Sequence, residues 1–122
     1  MPAEVLDGEI AAGVAFWGYE ADGELVGIMG IQRVRDVDLI RHAYVWPEHQ
    51  GRGVGGRLLE HIAESATRRM LVGTWATAEW AIRFYRHHGF ELLSREDGAA
   101  LLRDYWDIPE RQVETSVVLA RG

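Results

Sequence analysis

The stretch V-W-P-E-H-Q-G-R-G-V-G-G, residues Val45–Gly56, stands between an apolar run at Leu39–Val45 and a helical pattern over Arg57–Arg69. The run predicts a buried strand, and the pattern after it predicts an amphipathic helix. A strand, a glycine-rich turn and a helix start aim several backbone N–H groups at one point, where the helix dipole adds partial positive charge. The sequence therefore predicts an anion-binding turn of the kind that holds a pyrophosphate.

The composition of the turn supports this prediction. Four glycines allow the backbone to approach a ligand closely and to adopt positive φ, namely Gly51, Gly53, Gly55 and Gly56. Arg52 and Arg57 add positive charge to the same place. A glycine-rich turn without a ligand is the alternative, and the combination of these glycines with a helix start disfavours it.

Composition restricts the class of protein. The chain has 122 residues, of which 48% are hydrophobic and 26% charged, so we expect one soluble globular domain over residues 1–122. The absence of cysteine excludes a disulfide framework, a cysteine–zinc site and a cysteine nucleophile. A net charge of −6 argues against a large nucleic-acid interface. No apolar run has the length of a membrane span and no leader pattern opens the chain, so we expect a cytoplasmic protein that does not bind membranes.

Hydrophobic periodicity predicts the elements on either side of the turn. Before it we expect a short helix at Pro2–Ala12 and an antiparallel meander of three strands, Val14–Glu20, Glu24–Gln32 and Val37–Val45. After the helix of the turn we expect a parallel strand, a helix, a strand, a short helix and a last strand, at Met70–Thr74, Ala78–His88, Phe90–Arg95, Gly98–Tyr105 and Val113–Ala120. The predicted fold is α+β, a mixed and mostly antiparallel sheet with helices on both faces.

Two ligand classes are compatible with the turn. Gly51-x-Gly53-x-x-Gly56 satisfies the spacing of dinucleotide-binding proteins, a weak signal on its own. In that fold the glycines follow the strand directly and an acidic residue ends the next strand. Here Trp46–Gln50 intervenes, and Met70–Thr77 contains no acidic residue. A nicotinamide-dinucleotide binder is therefore the disfavoured hypothesis.

A second interpretation rests on two motifs. Gln50-x-x-Gly53-x-Gly55 resembles the (Gln/Arg)-x-x-Gly-x-(Gly/Ala) signature with which the GNAT family of N-acetyltransferases binds the pyrophosphate of acetyl-CoA. The segment A-I-R-F-Y-R-H-H-G-F at Ala81–Phe90 resembles the A-x-x-F-Y-x-x-x-G-F segment of the same family, at the expected place after the next strand. The order of elements matches from Val14 to about Ala120. The resemblance implies the acyl-CoA N-acyltransferase fold.

The resemblance also implies a mechanism of direct transfer from acetyl-CoA, without a covalent enzyme intermediate and without a metal. The co-substrate would lie between the strand that ends at Val45 and the strand Met70–Thr74, and a backbone N–H near Val45 would polarise the thioester carbonyl. Tyr85 would protonate the departing thiolate as general acid. The cofactor-binding positions implied are Tyr44, Val45, Gln50, Gly51, Arg52, Gly53, Val54, Gly55, Gly56, Ala78 and Tyr85.

A base must remove a proton from the acceptor amine. His42 and Glu48, near the end of the third strand, are the candidates, with Glu79 behind them. Because strand alternation reverses at any bulge, the sequence does not fix which of these side chains points inward, and a surface polar residue is the favoured interpretation of each. Phe84 and Phe90 are interpreted as core aromatics.

The sequence departs from the family pattern in two places. Many members carry Asn at the position of Ala78, so one hydrogen bond to the pantetheine arm is expected to be absent. The family normally opens with a strand and two helices, whereas only Pro2–Ala12 precedes the first hairpin strand here. We expect the opening strand and the first helix to be missing, so that either the chain starts late or another segment or subunit fills that face. We therefore expect an open edge at Val14–Glu20 and a homodimer with the hairpin Val14–Gln32 at its interface.

Two functional hypotheses follow. The first is an N-acetyltransferase that acts on a primary amine of a small molecule or peptide. The second is a CoA-binding module with weak or no catalysis, which keeps the turn and has lost its acceptor side. The presence of Tyr85 favours the first hypothesis.

Overall fold

The structure is a computed structural model that describes residues 14–122 except positions 22, 52 and 67, with the backbone alone at Ala21, His42, His49 and Ser65. The chain divides into two compact units, Met1–Arg68 and Arg69–Gly122. The helix predicted at Pro2–Ala12 lies outside the described residues, and the single-domain organisation stays a prediction.

The first unit contains the predicted three-stranded meander. Strands β1 (Val14–Ala21), β2 (Glu24–Val34) and β3 (Val37–Val45) pair antiparallel in sequence order. Gly23, in the turn between the first two strands, has a φ of +80°, which suits a tight hairpin connection. The prediction for this region is confirmed, with β3 at the predicted bounds.

Helix α1 (Val54–Ser65) packs on this meander, mainly on β2. Its buried face carries Val54, Leu58, Leu59 and Ile62. Each such side chain stabilises the fold by roughly 1.5–3 kcal/mol when fully buried. Gly27 of β2 makes this close approach possible, because a Cβ at that position would lie 2.8 Å from Cγ1 of Val54.

The predicted bounds of α1, Arg57–Arg69, were wrong at both ends. The helix begins earlier, at Val54, because Gly53 is its N-cap. The backbone of Gly53 is left-handed, with φ +81°. It ends at Ser65, since Ala66 has an extended backbone. A short 3₁₀ turn, Pro47–His49, precedes it and was not predicted.

The second unit is a three-stranded antiparallel sheet with three helices. Strand β6 (Ser116–Arg121) lies between β4 (Arg69–Trp75) and the two-residue β5 (Glu91–Leu92). The helices are α2 (Glu79–His87), α3 (Arg95–Tyr105) and α4 (Glu110–Glu114). Residues 116–120 are buried, which makes β6 the centre of this unit's core.

Three predicted bounds in the second unit require correction. The strand predicted at Phe90–Arg95 shortens to β5, because Ser94 caps α3 by accepting a hydrogen bond from the Asp97 N–H at 3.1 Å. The same cap starts α3 before the predicted Gly98. The strand predicted at Val113–Ala120 begins only at Ser116, because Val113 belongs to α4.

The fold class is confirmed as α+β, and the elements follow the order that the resemblance implies. No helix in the part of the chain that the structure describes is long and apolar enough to span a membrane.

Candidate functional site

The glycine-rich turn has the backbone conformation that its sequence predicts. Gly51 and Gly53 have φ values of +79° and +81°, a region that residues with a side chain adopt rarely. A Cβ at either position would have no heavy atom of the described residues within 4 Å. The requirement for glycine is therefore conformational rather than steric, and the space above the turn is open to a ligand.

The N-terminus of α1 opens onto this turn. Gly53 is the N-cap and supplies no capping side chain. The first intrahelical hydrogen bond runs from the Arg57 N–H to the Gly53 carbonyl oxygen, at 3.0 Å. The N–H groups before it, at Gly55 and Gly56, are among those that a helix leaves without an intrahelical partner. Together with the helix dipole, they suit an anion.

Gln50 holds the turn against the end of β3. Its side-chain amide nitrogen donates to the Val45 carbonyl oxygen at 3.0 Å, and its backbone N–H donates to the Pro47 carbonyl oxygen at 3.3 Å. Gln50 therefore acts on the conformation of the turn. Its amide donor already has a partner within the protein.

The backbone N–H of Val45 points away from β2. Val45 lies opposite Gly27, and the next residue, Trp46, donates its N–H to the Val26 carbonyl oxygen at 2.9 Å. Hydrogen-bonded and non-hydrogen-bonded pairs alternate along antiparallel strands, so Val45 and Gly27 form a non-hydrogen-bonded pair. The N–H that the resemblance assigns to the thioester carbonyl is thus not used by β2.

A register shift in β3 lies beside the candidate base His42. Ile28 pairs with Tyr44 and Gly30 with Arg41, so β3 has one extra residue between these pairs. The alternation of side chains does not carry across this bulge. The side chain of His42 lies outside the described atoms, and its role stays a prediction.

The other polar candidates are on the surface. Glu48, in the 3₁₀ turn, and Glu79, at the start of α2, have exposed side chains. Tyr44 is 52% exposed and makes an edge-on contact with Trp46, with ring centroids 5.5 Å apart. Because both carboxylates are exposed, each is accessible to an acceptor. Exposure therefore does not identify which of them is the base.

Arg57 is directed to β1. Its Nη1 donates to the Tyr19 hydroxyl at 2.7 Å, and its guanidinium carbon lies 6.0 Å from the centroid of the Tyr19 ring. The guanidinium keeps further N–H donors for a phosphate. Sequence analysis did not identify Tyr19, because nothing local links two residues that are 38 positions apart. Arg52 lies outside the described residues.

In the second unit, the motif residue Tyr85 lies in an aromatic cluster. Its ring is buried on α2 and makes edge-on contacts with Phe84 and Phe90, at centroid distances of 5.1 and 5.4 Å. Gly89, with φ +86°, ends the helix and lets the Phe90 N–H donate to the Tyr85 carbonyl oxygen at 3.0 Å. The G-F pair of the motif therefore positions one wall of the Tyr85 site.

Burial changes the acid strength of Tyr85. Desolvation raises the pKa of its phenol from 10.0 to about 12. The hydroxyl thus keeps its proton throughout the neutral range. A thiol such as the cysteine side chain has a pKa of about 8.5, so donation from Tyr85 to a free thiolate is unfavourable unless the site itself assists it.

Ala78 is the N-cap of α2 and provides no side-chain cap. Its carbonyl oxygen accepts hydrogen bonds from the N–H groups of Ala81 and Ile82, both at 3.1 Å. The start of this helix is thus maintained by the backbone. Among the residues that the structure describes, no group of three or more acidic or histidine side chains could hold a metal ion.

The chain matches a known family along most of its length. The family model described as an acetyltransferase (GNAT) domain matches residues 12–92, which include both motifs. The uncharacterized N-acetyltransferase YjgM of Escherichia coli (strain K12) is 32% identical over an aligned length of 87 residues, and the alignment covers 65% of this chain and 52% of that protein. The chain therefore spans about half the length of this curated relative.

Solved structures agree in fold. A GNAT family acetyltransferase from Elizabethkingia anophelis with acetyl-CoA bound superposes with a TM-score of 0.71 at 18% identity, covering 98% of this chain and 82% of that one. An IAA acetyltransferase from Bacillus cereus ATCC 14579 gives a TM-score of 0.72 at 21% identity, covering 99% and 91%. With both motifs inside the matched residues, this chain belongs to the GNAT acetyltransferase family.

Proposed function

We propose that this protein is an acetyl-CoA-dependent N-acetyltransferase that transfers an acetyl group directly to a primary amine of a small molecule or peptide. The observation that carries the proposal is the open turn at Gly51 and Gly53, directly before the uncapped N-terminus of α1. Family membership and the acetyl-CoA in the Elizabethkingia anophelis protein support this choice of ligand over a dinucleotide.

Binding is tested by Gly53→Asp. The substitution places a carboxylate where the pyrophosphate is proposed to sit, so it should remove the stabilisation by CoA. In the parent protein this stabilisation amounts to about 2.7 kcal/mol at a hundredfold excess of CoA over Kd. The measurement is the CoA-induced shift in melting temperature, with NAD as the competing ligand.

Gly23→Asp is the matched control. Gly23 has a φ of +80°, and a Cβ there would also meet no atom of the described part of the chain within 4 Å, so both substitutions impose the same backbone strain. Only the Gly53 variant should lose the CoA response. An equal response in both variants, or a larger response of the parent to NAD, contradicts the site.

The proposed chemistry assigns one task to each element. The Val45 N–H polarises the thioester carbonyl, the amine attacks it, and the C–S bond of the tetrahedral intermediate breaks. The departing thiolate takes the Tyr85 proton, and the proton of the amine goes to water or to one of His42, Glu48 and Glu79.

A CoA-binding module without catalysis is the second candidate. The observation in its favour is the pKa of Tyr85, raised to about 12 by burial, which makes the phenol a weak acid. Acetyl transfer to any amine by the purified protein decides between the two. Binding of acetyl-CoA without transfer across a panel of primary amines supports the module.

We also propose a cytoplasmic homodimer, with the hairpin Val14–Gln32 at its interface. Within the described part of the chain β1 pairs with β2 alone, and its residues Ala15, Gly18 and Glu20 are exposed. An edge strand of this kind accepts a strand from a second copy. Sedimentation across a dilution series should show a concentration-dependent dimer, and a monomer with full transfer activity rules the interface out.

A further inference from the structure

The second unit contains a cleft of about 190 Å³ that the two motifs do not use. Its floor is the end of β4 and the start of β6, where Trp75 pairs with Ser116. Its wall is the connection that carries α3 and α4. The lining residues are Gly73, Thr74, Trp75, Leu102, Trp106, Ile108, Gln112 and Ser116.

Helix α3 forms the wall because it crosses the sheet closely. A Cβ at Gly98 would lie 3.5 Å from the Val118 nitrogen, and a Cβ at Gly73 would lie 3.5 Å from Cδ2 of Leu102. Gly73 and Val118 are cross-strand partners, so α3 covers the face that both share. The wall from Leu102 onward lies beyond residues 12–92, which the family model matches.

The end of α3 places an indole over the floor. Trp106, directly after the helix, has an extended backbone and donates its N–H to the Leu102 carbonyl oxygen at 3.0 Å. Its Cζ2 and Cε2 would lie 3.5 and 3.6 Å from a Cβ at Gly73. The absence of a side chain at Gly73 thus leaves space between strand and indole.

The lining has a definite chemical character. None of the lining residues is charged. Trp75, which is 54% exposed, and the half-buried Trp106 provide aromatic surface. Thr74, Gln112 and Ser116 add uncharged hydrogen-bonding groups. Pockets that enclose whole ligands measure about 300–1,000 Å³, so this cleft accommodates only part of a molecule.

We propose that the cleft binds one aromatic ring of a small-molecule ligand. Tryptophan surfaces favour offset or edge-on contacts with a second ring, and the lining provides no carboxylate for a cation and no cation for an anion. A ring that enters the cleft also covers the exposed indole of Trp75. This inference goes beyond the proposed function, because it concerns a binding site that acetyl transfer does not require.

Gly73→Ala is the variant that tests the cleft. Its methyl group meets Leu102 and Trp106 at ordinary van der Waals distances, and Gly73 is not among the residues with positive φ, so the fold accepts it. The methyl group occupies the floor of the cleft. Gly98→Ala is the matched control, because Gly98 is a buried glycine with the same 3.5 Å approach that does not line the cleft.

The measurement is the equilibrium binding of phenethylamine to CoA-saturated protein by isothermal titration calorimetry. One methyl group in a fitted pocket changes affinity by about tenfold or more, so Gly73→Ala should weaken binding at least tenfold and Gly98→Ala should leave it unchanged. Ethylamine, which lacks the ring, should bind more weakly than phenethylamine to the parent. Equal binding of phenethylamine to all three proteins, or no binding to the parent, overturns the proposal. Preferential binding of tetramethylammonium also overturns it, since that result identifies a cation site.

Two further readouts separate this proposal from the proposed function. If CoA raises the melting temperature and amines are acetylated, but Gly73→Ala binds phenethylamine normally, the cleft proposal is wrong and the function stands. If Gly73→Ala blocks binding of the ring but no amine is acetylated, the cleft binds aromatic rings and the proposed transfer is wrong.

Discussion

The turn at Gln50–Gly56 and the cluster around Tyr85 are both recognisable motifs, but they are built from different parts of the chain. The turn is a main-chain site, defined by two glycines with positive φ and open to solvent. The cluster is a side-chain site, in which burial between two phenylalanines changes the acid strength of a phenol. The first therefore depends on backbone conformation, and the second depends on desolvation.

The largest expected effect is a loss of stability at alkaline pH, and it depends on the cluster around Tyr85 alone. In the unfolded chain Tyr85 loses its proton near pH 10, whereas in the folded protein its pKa of about 12 keeps it protonated. Between these pH values the unfolded state binds fewer protons, so the free energy of unfolding falls as pH rises, by about 3 kcal/mol for a shift of this size. The contribution is fully present below pH 10.

Denaturant unfolding at several pH values between 9 and 12 measures this loss. The difference between the parent and Tyr85→Phe isolates it, because the other tyrosines ionise alike in both proteins. If the two proteins lose stability in parallel, Tyr85 is not desolvated and the contrast between the two sites disappears.

The next effect concerns catalysis. Tyr85→Phe keeps the ring contacts and removes the proton donor, so the rate constant for transfer should fall about a hundredfold while CoA affinity stays nearly constant. Single-turnover kinetics measure the step, and Tyr105→Phe serves as the control on α3. In the parent, the loss of activity through Tyr85 ionisation should occur only near pH 12. A fully active Tyr85→Phe protein makes Tyr85 a core aromatic residue and water the proton donor.

The smallest effect tests the turn. Gln50→Ala removes the hydrogen bond to the Val45 carbonyl oxygen, which contributes about 1 kcal/mol, so CoA affinity should fall about fivefold. Gln32→Ala, which removes a side-chain hydrogen bond to Arg41 in the same unit, should leave CoA affinity unchanged. Calorimetric titration with CoA measures both. An unaltered affinity in Gln50→Ala shows that the glycines maintain the turn without Gln50.

Local chemistry explains where prediction from sequence succeeded. Alternation and turn residues predicted β3 at its observed bounds, and the glycines predicted the turn, because both features depend on neighbouring residues. The last strand was misplaced because Val113 was treated as a strand former. Pro109 and Glu110 are helix-start residues, and the Thr115 hydroxyl donates to the Arg111 carbonyl oxygen at 3.1 Å as α4 ends.

Contacts between distant residues could not be predicted in this way. The hydrogen bond between Arg57 and Tyr19, and the indole of Trp106 over Gly73, depend on how elements pack. No periodicity encodes either contact. The raised pKa of Tyr85 could not be predicted from sequence either, since desolvation is a property of the folded core.

The contact between Gly27 and Val54 couples the choice of residue at two positions that are far apart in the sequence. A Cβ at Gly27 would lie 2.8 Å from Cγ1 of Val54, which leaves no room for a methyl group on the strand while valine occupies the first turn of α1. Gly27→Ala alone would push the helix start, and with it the anion-binding turn, away from β2, at a cost of about 1–3 kcal/mol. Gly27→Ala combined with Val54→Ala exchanges volume across the contact. The position of the turn therefore depends on Gly27, a strand residue far upstream. We expect relatives to change the residues at positions 27 and 54 together.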